Sequence, residues 1–101
     1  MHFGLNQADI NKLCHVFSKY PSIDKVIVYG SRAKGTFRDN SDIDLTIVGD
    51  LDWLTFNELE TELDDLLLPY TLDLSLYEQI ENKDLRYHID HVGQIFFDRQ
   101  V

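Results

Sequence analysis

The sequence is poor in cysteine and in basic residues, and both shortages exclude functions. Cys14 is the one cysteine among 101 residues, which excludes an internal disulfide framework and a metal site built from thiolates, and which fits a reducing compartment. Nine Lys and Arg residues face 18 Asp and Glu residues, so the formal net charge is -9 at pH 7. Such a charge repels phosphate polymers and anionic membrane surfaces, and we therefore expect no stable nucleic-acid partner.

Long apolar runs and secretion signals are also lacking. No stretch approaches the ~18 apolar residues of a membrane span, and the first residues lack a basic region followed by an apolar one. The sequence has no repeat or low-complexity segment, and both prolines, Pro21 and Pro69, fall between predicted elements. We expect no membrane contact, a cytoplasmic location and a single domain over residues 1–101.

Apolar residues recur with helical and strand periods in turn along the chain. Helical spacing follows each of three capping residues, Asn6, Asp52 and Asn82. The predicted strands are residues 25–29, 42–48, 72–77 and 94–97, with a short helical turn and a loop over 32–41. The order helix, strand, strand, helix, strand, helix, strand predicts an α/β (α+β) fold of two layers: a mixed sheet of about four strands with helices packed on one face.

Two carboxylates share one face of the second predicted strand. Asp42 and Asp44 alternate with apolar residues, and their Cα atoms should lie ~6.6 Å apart. If a neighbouring strand brings Asp73 alongside, each carboxylate pair would repel by roughly 3 kcal/mol at about 5 Å and an effective dielectric of 20. Protonation or bound cations must relieve that repulsion, and oxygen ligands suit Mg²⁺, with Mn²⁺ as an alternative, better than zinc.

These carboxylates suit a site for two metal ions. We predict Asp42 and Asp44 as ligands of both ions and Asp73 as a ligand of the ion nearest the acceptor. Asp73 could in addition orient an attacking hydroxyl or receive its proton, so all three are predicted catalytic and metal-binding residues.

A basic turn precedes the acidic strand. Gly30 and Ser31 directly follow the first predicted strand, where a tight bend leaves backbone N–H groups free to meet phosphate. Arg32, Lys34 and Arg38 bring positive charge to the same segment of an otherwise acidic chain. We predict that Gly30, Ser31, Arg32 and Lys34 bind a nucleotide triphosphate.

Four other side chains receive no chemical role. Trp53 and Tyr77 are interpreted as packing or interface groups. His88 and His91, three positions apart on the last predicted helix, are interpreted as part of a solvated face, because no further metal ligand accompanies them.

The combined pattern resembles a known family. Gly30 and Ser31, ten intervening residues, and then Asp42 and Asp44, with Asp73 on a later strand, resemble the minimal nucleotidyltransferase (MNT) domains of the DNA polymerase beta superfamily. The resemblance implies that Ser31 binds the triphosphate and that the three aspartates hold two magnesium ions. Larger members carry a helical domain for the acceptor, and we expect a separate chain to supply it here.

Minimal domains of this kind are similar to the antitoxins of HEPN–MNT toxin–antitoxin pairs. That resemblance implies transfer of AMP from ATP to a tyrosine of a HEPN protein, which would silence the toxin. Two alternatives stay open. A homodimer could act on a small, aminoglycoside-like hydroxyl substrate, or the chain could bind nucleotide without catalysis and neutralise its partner by contact.

Overall fold

The structure, a computed structural model, describes residues 3–100. The helices are α1 (Gln7–Ser18), α2 (Gly30–Lys34), α3 (Trp53–Asp64) and α4 (Lys83–Val92), and a 3-10 turn covers Tyr77–Gln79. The strands are β1 (Ile23–Tyr29), β2 (Ile43–Gly49), β3 (Leu72–Leu76) and β4 (Gln94–Asp98). Within residues 3–100, no helix is long and apolar enough to cross a bilayer.

The four strands form one mixed sheet in the order β3-β2-β1-β4. β1 pairs antiparallel with both β2 and β4, while β2 and β3 run parallel. A parallel pair requires a crossover connection, and α3 provides it. The predicted fold class is therefore confirmed.

The helices begin at the residues that the sequence indicates. Each of the three long helices has a side-chain oxygen that accepts a hydrogen bond from a backbone N–H of the first turn. The pairs are Asn6 with Asp9 at 2.8 Å, Asp52 with Thr55 at 2.8 Å, and Asn82 with Leu85 at 3.0 Å. A cap of this kind stabilises a helix by ~1 kcal/mol.

The main core lies between one face of the sheet and the helices α1 and α3. Strand side chains alternate between faces, so every second residue of β1 and β2 enters this core. Its fully buried members include Leu13 and Phe17 of α1, Leu59 of α3, Val26 and Val28 of β1, and Leu45 and Ile47 of β2. Two of the three long helices thus lie where the prediction placed them.

Helix α4 lies on the opposite face of the sheet, and the prediction that all helices pack on one face needs this correction. Ile89 of α4 is buried against Tyr29 and Ile27. Because 25–29 lacks polar alternation, β1 presents apolar side chains on both faces and needs cover on both. Gly93 allows the close approach, since a Cβ there would lie 2.6 Å from Ile27 Cγ2.

Candidate active site

Asp44 and Asp73 are direct partners in the parallel pair of β2 and β3. Paired residues project from the same face of a sheet, so the two carboxylates lie side by side. Asp42 lies two positions before Asp44, immediately before β2 begins, and its charge acts on Asp44. The register therefore brings together the three carboxylates that the sequence analysis selected.

The carboxylates repel one another. Partial burial raises the pKa of the Asp44 carboxyl above its ordinary value, and the negative charges of Asp73 and Asp42 raise this pKa further. The carboxyl groups of Asp44 and Asp73 are close enough to share a hydrogen bond when one is protonated. Extra positive charge at this edge would therefore be stabilising.

The donor set fits a hard divalent cation. All three groups supply carboxylate oxygens, the ligands that Mg²⁺ and Mn²⁺ prefer. Asp42 and Asp73 are exposed, so their side chains are free to turn towards an ion. Within residues 3–100, no three Asp, Glu, His or Cys side chains already surround a metal position. Rotation of the exposed carboxylates would have to complete the coordination.

The turn at Gly30 and Ser31, called here the 30–31 turn, lies against these carboxylates. Gly30 begins α2 directly after β1 with a φ of 73°, a conformation that favours glycine. A Cβ at Gly30 would lie 2.3 Å from Asp44 Oδ2. Ser31 follows in the first turn of α2 and is half-buried. The turn and the acidic group thus form one continuous site.

Arg32 does not face this site, and the prediction that it binds phosphate is wrong. Its side chain is only 2% exposed. The guanidinium donates to the carbonyl oxygens of Phe3 at 2.8 Å and Ser41 at 2.9 Å. It also lies over the rings of Phe37 and Tyr70, at 5.1 and 5.4 Å from their centroids. Because Ser41 precedes Asp42, Arg32 fixes the backbone beside that carboxylate.

Comparison with known sequences decides the family. The model of the polymerase beta nucleotidyltransferase family matches residues 11–101. The chain belongs to this family. A relative from Methanocaldococcus jannaschii, provisionally named a protein adenylyltransferase, is 38% identical over 74 residues, which cover 69% of this chain and 71% of the relative. The protein is a nucleotidyltransferase.

Solved toxin–antitoxin complexes contain chains that are similar to this nucleotidyltransferase. A toxin–antitoxin complex with AMP-PNP contains a chain that is 26% identical and superposes with a TM-score of 0.69, over 95% of this chain and 76% of the other. A complex of a tri-AMPylated Shewanella oneidensis HEPN toxin with an MNT antitoxin matches with a TM-score of 0.67 at 20% identity, over 95% and 75% of the two chains. At that identity, the second likeness shows the fold alone.

Lys34 and Arg38 are the remaining basic residues of the predicted phosphate end. Lys34 is exposed at the end of α2, and Arg38 is exposed in the loop before β2. Neither forms an ion pair with any residue in the span 3–100. Unlike Arg32, both therefore keep charges that could meet the phosphates of a nucleotidyltransferase substrate.

Tyr29 lies beside Asp44 on the face of the sheet that carries the carboxylates, a position that the sequence did not reveal. It is buried, and its Cα is the partner of Asp44 across β1 and β2. Burial raises the pKa of the Tyr29 hydroxyl, a polar contact with Ser75 lowers it, and the charges of Asp73 and Asp44 raise it again. The hydroxyl therefore stays protonated under the acidic group.

His88 also belongs to the site, so its interpretation as part of a solvated face is wrong. Its Nε2 accepts a hydrogen bond of 3.0 Å from the Gly30 N–H, and its ring lies edge-on to Tyr29 with the centroids 6.2 Å apart. The helical period held a signal: His88 is three residues after Leu85, on the half-buried side of α4. His91 is exposed and stacks on Tyr87.

The two aromatic residues without a role lie elsewhere. The Tyr77 hydroxyl donates to Asp90 Oδ1 at 2.6 Å and so ties the end of β3 to α4. Trp53 is 61% exposed at the start of α3, edge-on to Phe56. Tyr77 is thus a packing residue, while Trp53 presents most of its surface to solvent.

Proposed function

We propose that this nucleotidyltransferase is an antitoxin that transfers AMP from ATP to a tyrosine hydroxyl of a HEPN partner. One observation carries the proposal: the carboxylate of Asp44, which is paired with Asp73, lies against the 30–31 turn. A group that would hold metal and a group that would hold phosphate are therefore adjacent, as nucleotidyl transfer requires.

Each end of the site has residues suited to one part of ATP. Ser31, with its hydroxyl and backbone N–H, and the exposed Lys34 would bind the triphosphate. Asp42, Asp44 and Asp73 would hold two Mg²⁺ ions, with Mn²⁺ as an alternative. The chemistry that bound ions supply in such sites is neutralisation of charge on the phosphates and on the leaving oxygen.

Asp73 is the residue suited to the acceptor. It is exposed, so the hydroxyl of another chain can reach it, whereas Asp44 is half-buried. The tyrosine oxygen would attack the α-phosphorus, and its proton would pass to Asp73. A bond would form between that oxygen and phosphorus as the bond to pyrophosphate breaks. The products are an adenylylated tyrosine and free pyrophosphate, and Asp73 would return the proton to water.

The choice of a HEPN acceptor rests on the comparisons. The relatives include a protein named for adenylylation of proteins and a chain of a toxin–antitoxin complex with AMP-PNP, and a chain of the same fold was solved in complex with a tri-AMPylated HEPN toxin. The formal net charge of -9 also favours a partner with a basic surface.

Intact-mass spectrometry tests this proposal. The chain would be incubated with a HEPN protein from the same organism, ATP and Mg²⁺. We expect the partner to gain one or more adenylyl groups with the wild-type chain and with D50N, which changes an exposed aspartate beyond the far end of β2. We expect no gain with D73N. An unmodified partner in the wild-type reaction would refute the proposal.

A further inference from the structure

We infer that His88 is a positioning residue for the nucleotide, because its hydrogen bond holds the 30–31 turn in place beside Asp44. This inference deepens the proposed function and rests on it. The hydrogen bond joins Gly30 to a residue 58 positions later in the chain, so it ties α4 to the junction of β1 and α2. No other side chain within residues 3–100 is bonded to the Gly30 N–H.

The helix that carries His88 is itself well anchored. Ile89, the next residue, is 1% exposed and packs on Tyr29 beneath the site. Asn82 caps the first turn of α4, and Asp90 accepts a hydrogen bond from the hydroxyl of Tyr77. His88 therefore holds the turn at a fixed distance from an anchored helix. A side chain on a helix positions a site more precisely than a side chain on a loop.

The contact also decides which donors the turn offers. Nε2 of His88 accepts a hydrogen bond from the Gly30 N–H, so the ring proton lies on Nδ1. The Gly30 N–H is then not available to phosphate, so the triphosphate must use the N–H and hydroxyl of Ser31. Without His88, a half-buried donor would lose its partner and the turn could move from Asp44.

Two amides that differ by one methylene group separate this role from a merely structural one. The amide oxygen of H88Q can reach the position of Nε2 and accept the Gly30 N–H, whereas the shorter side chain of H88N cannot. Both variants are neutral and polar, so both should keep the fold. H91N, on the exposed side of the same helix, is the matched control.

The experiment measures kcat and KM for ATP in the transfer reaction, the Kd of ATP by calorimetry, and the melting temperature. We expect H88N to raise KM and Kd roughly five- to tenfold, the effect of one hydrogen bond, with kcat changed less than about twofold. H88Q and H91N should behave like the wild-type chain.

Two results would overturn the inference. If H88N kept the wild-type KM and Kd, the contact would play no part in nucleotide binding. If it bound ATP more tightly, His88 would compete with the phosphates for the turn. Absence of transfer by the wild-type chain would instead count against the proposed function, while the Kd series would still test His88.

Discussion

Gly30 and Asp44 approach so closely that a methyl group at Gly30 would lie 2.3 Å from a carboxylate oxygen of Asp44. The contact joins the 30–31 turn to the acidic group across the antiparallel pair of β1 and β2. It explains the glycine at the junction of β1 and α2: any side chain there would push apart two residues that, in the proposed function, face the same nucleotide.

The first prediction uses this contact. We expect G30A to lose at least tenfold in transfer, because Asp44 or the turn must move, and to lose ~1 kcal/mol of stability from its positive φ. G35A is the matched control, since Gly35 has a φ of 80° but no atom within 4 Å of a Cβ. It should show the same loss of stability in thermal melts and keep its activity. Equal activity losses in the two variants would refute the steric argument.

The second prediction concerns the repulsion at Asp44. The raised pKa means that the folded chain keeps a proton which the unfolded chain has released above the ordinary value of 3.8, so the free energy of unfolding falls as pH rises through this window. We expect D44N to raise the melting temperature at pH 7 without divalent cations, and the gain to shrink as pH falls.

D50N is the control for this pH series, because Asp50 is exposed beyond the far end of β2. The D50N substitution should leave the melting temperature unchanged both at pH 7 and at lower pH. A destabilised D44N at pH 7 would show that the Asp44 carboxylate is not under repulsion. Added Mg²⁺ should stabilise the wild-type chain more than D44N.

The third prediction separates catalysis from neutralisation by contact. Because Asp73 would serve the acceptor, D73N should bind ATP within about threefold of the wild-type affinity and yet lose at least a hundredfold in transfer. A growth assay with the HEPN partner completes the test. If D73N protects cells as well as the wild-type chain does, the protein acts by contact alone.

The fourth prediction contrasts two basic residues of α2. R32M removes a buried cation that donates hydrogen bonds to the carbonyl oxygens of Phe3 and Ser41. It should lower the free energy of unfolding by about 2–4 kcal/mol. K34M removes an exposed charge and should leave the melting temperature within about 2 °C while weakening ATP binding severalfold. Denaturant unfolding and calorimetry measure both. If R32M proved as stable as K34M, the hydrogen bonds of Arg32 would not stabilise the fold.

Much of the fold could be predicted because local rules govern it. Strand alternation placed Asp42 and Asp44 on one face, and the similar pattern around Asp73 predicted a third strand. The pairing of that strand with β2 was a condition of the prediction, and the structure meets it. The capping residues also behave as expected. These features depend on neighbours within a few positions, which a single sequence displays directly.

The corrections concern contacts between distant segments. Arg32 looked available for phosphate because nothing near it in sequence reveals the carbonyl of Phe3 or the ring of Tyr70. His88 reaches Gly30 only after α4 crosses to the second face of the sheet, and that crossing depends on the packing of Ile89. The roles of the aspartates and of Ser31 and Lys34 remain predictions.

Manganese offers the most direct test of the central claim that the carboxylates and the 30–31 turn bind one metal–nucleotide complex. Crystals would be grown with Mn²⁺ and a non-hydrolysable ATP analogue, and an anomalous difference map recorded. We expect manganese peaks bordered by Asp42 and Asp44, near Asp73, with the triphosphate against Ser31. A nucleotide bound elsewhere, such as in the groove of about 480 Å³ beside Tyr20 and Leu54, with no manganese at the aspartates, would contradict it.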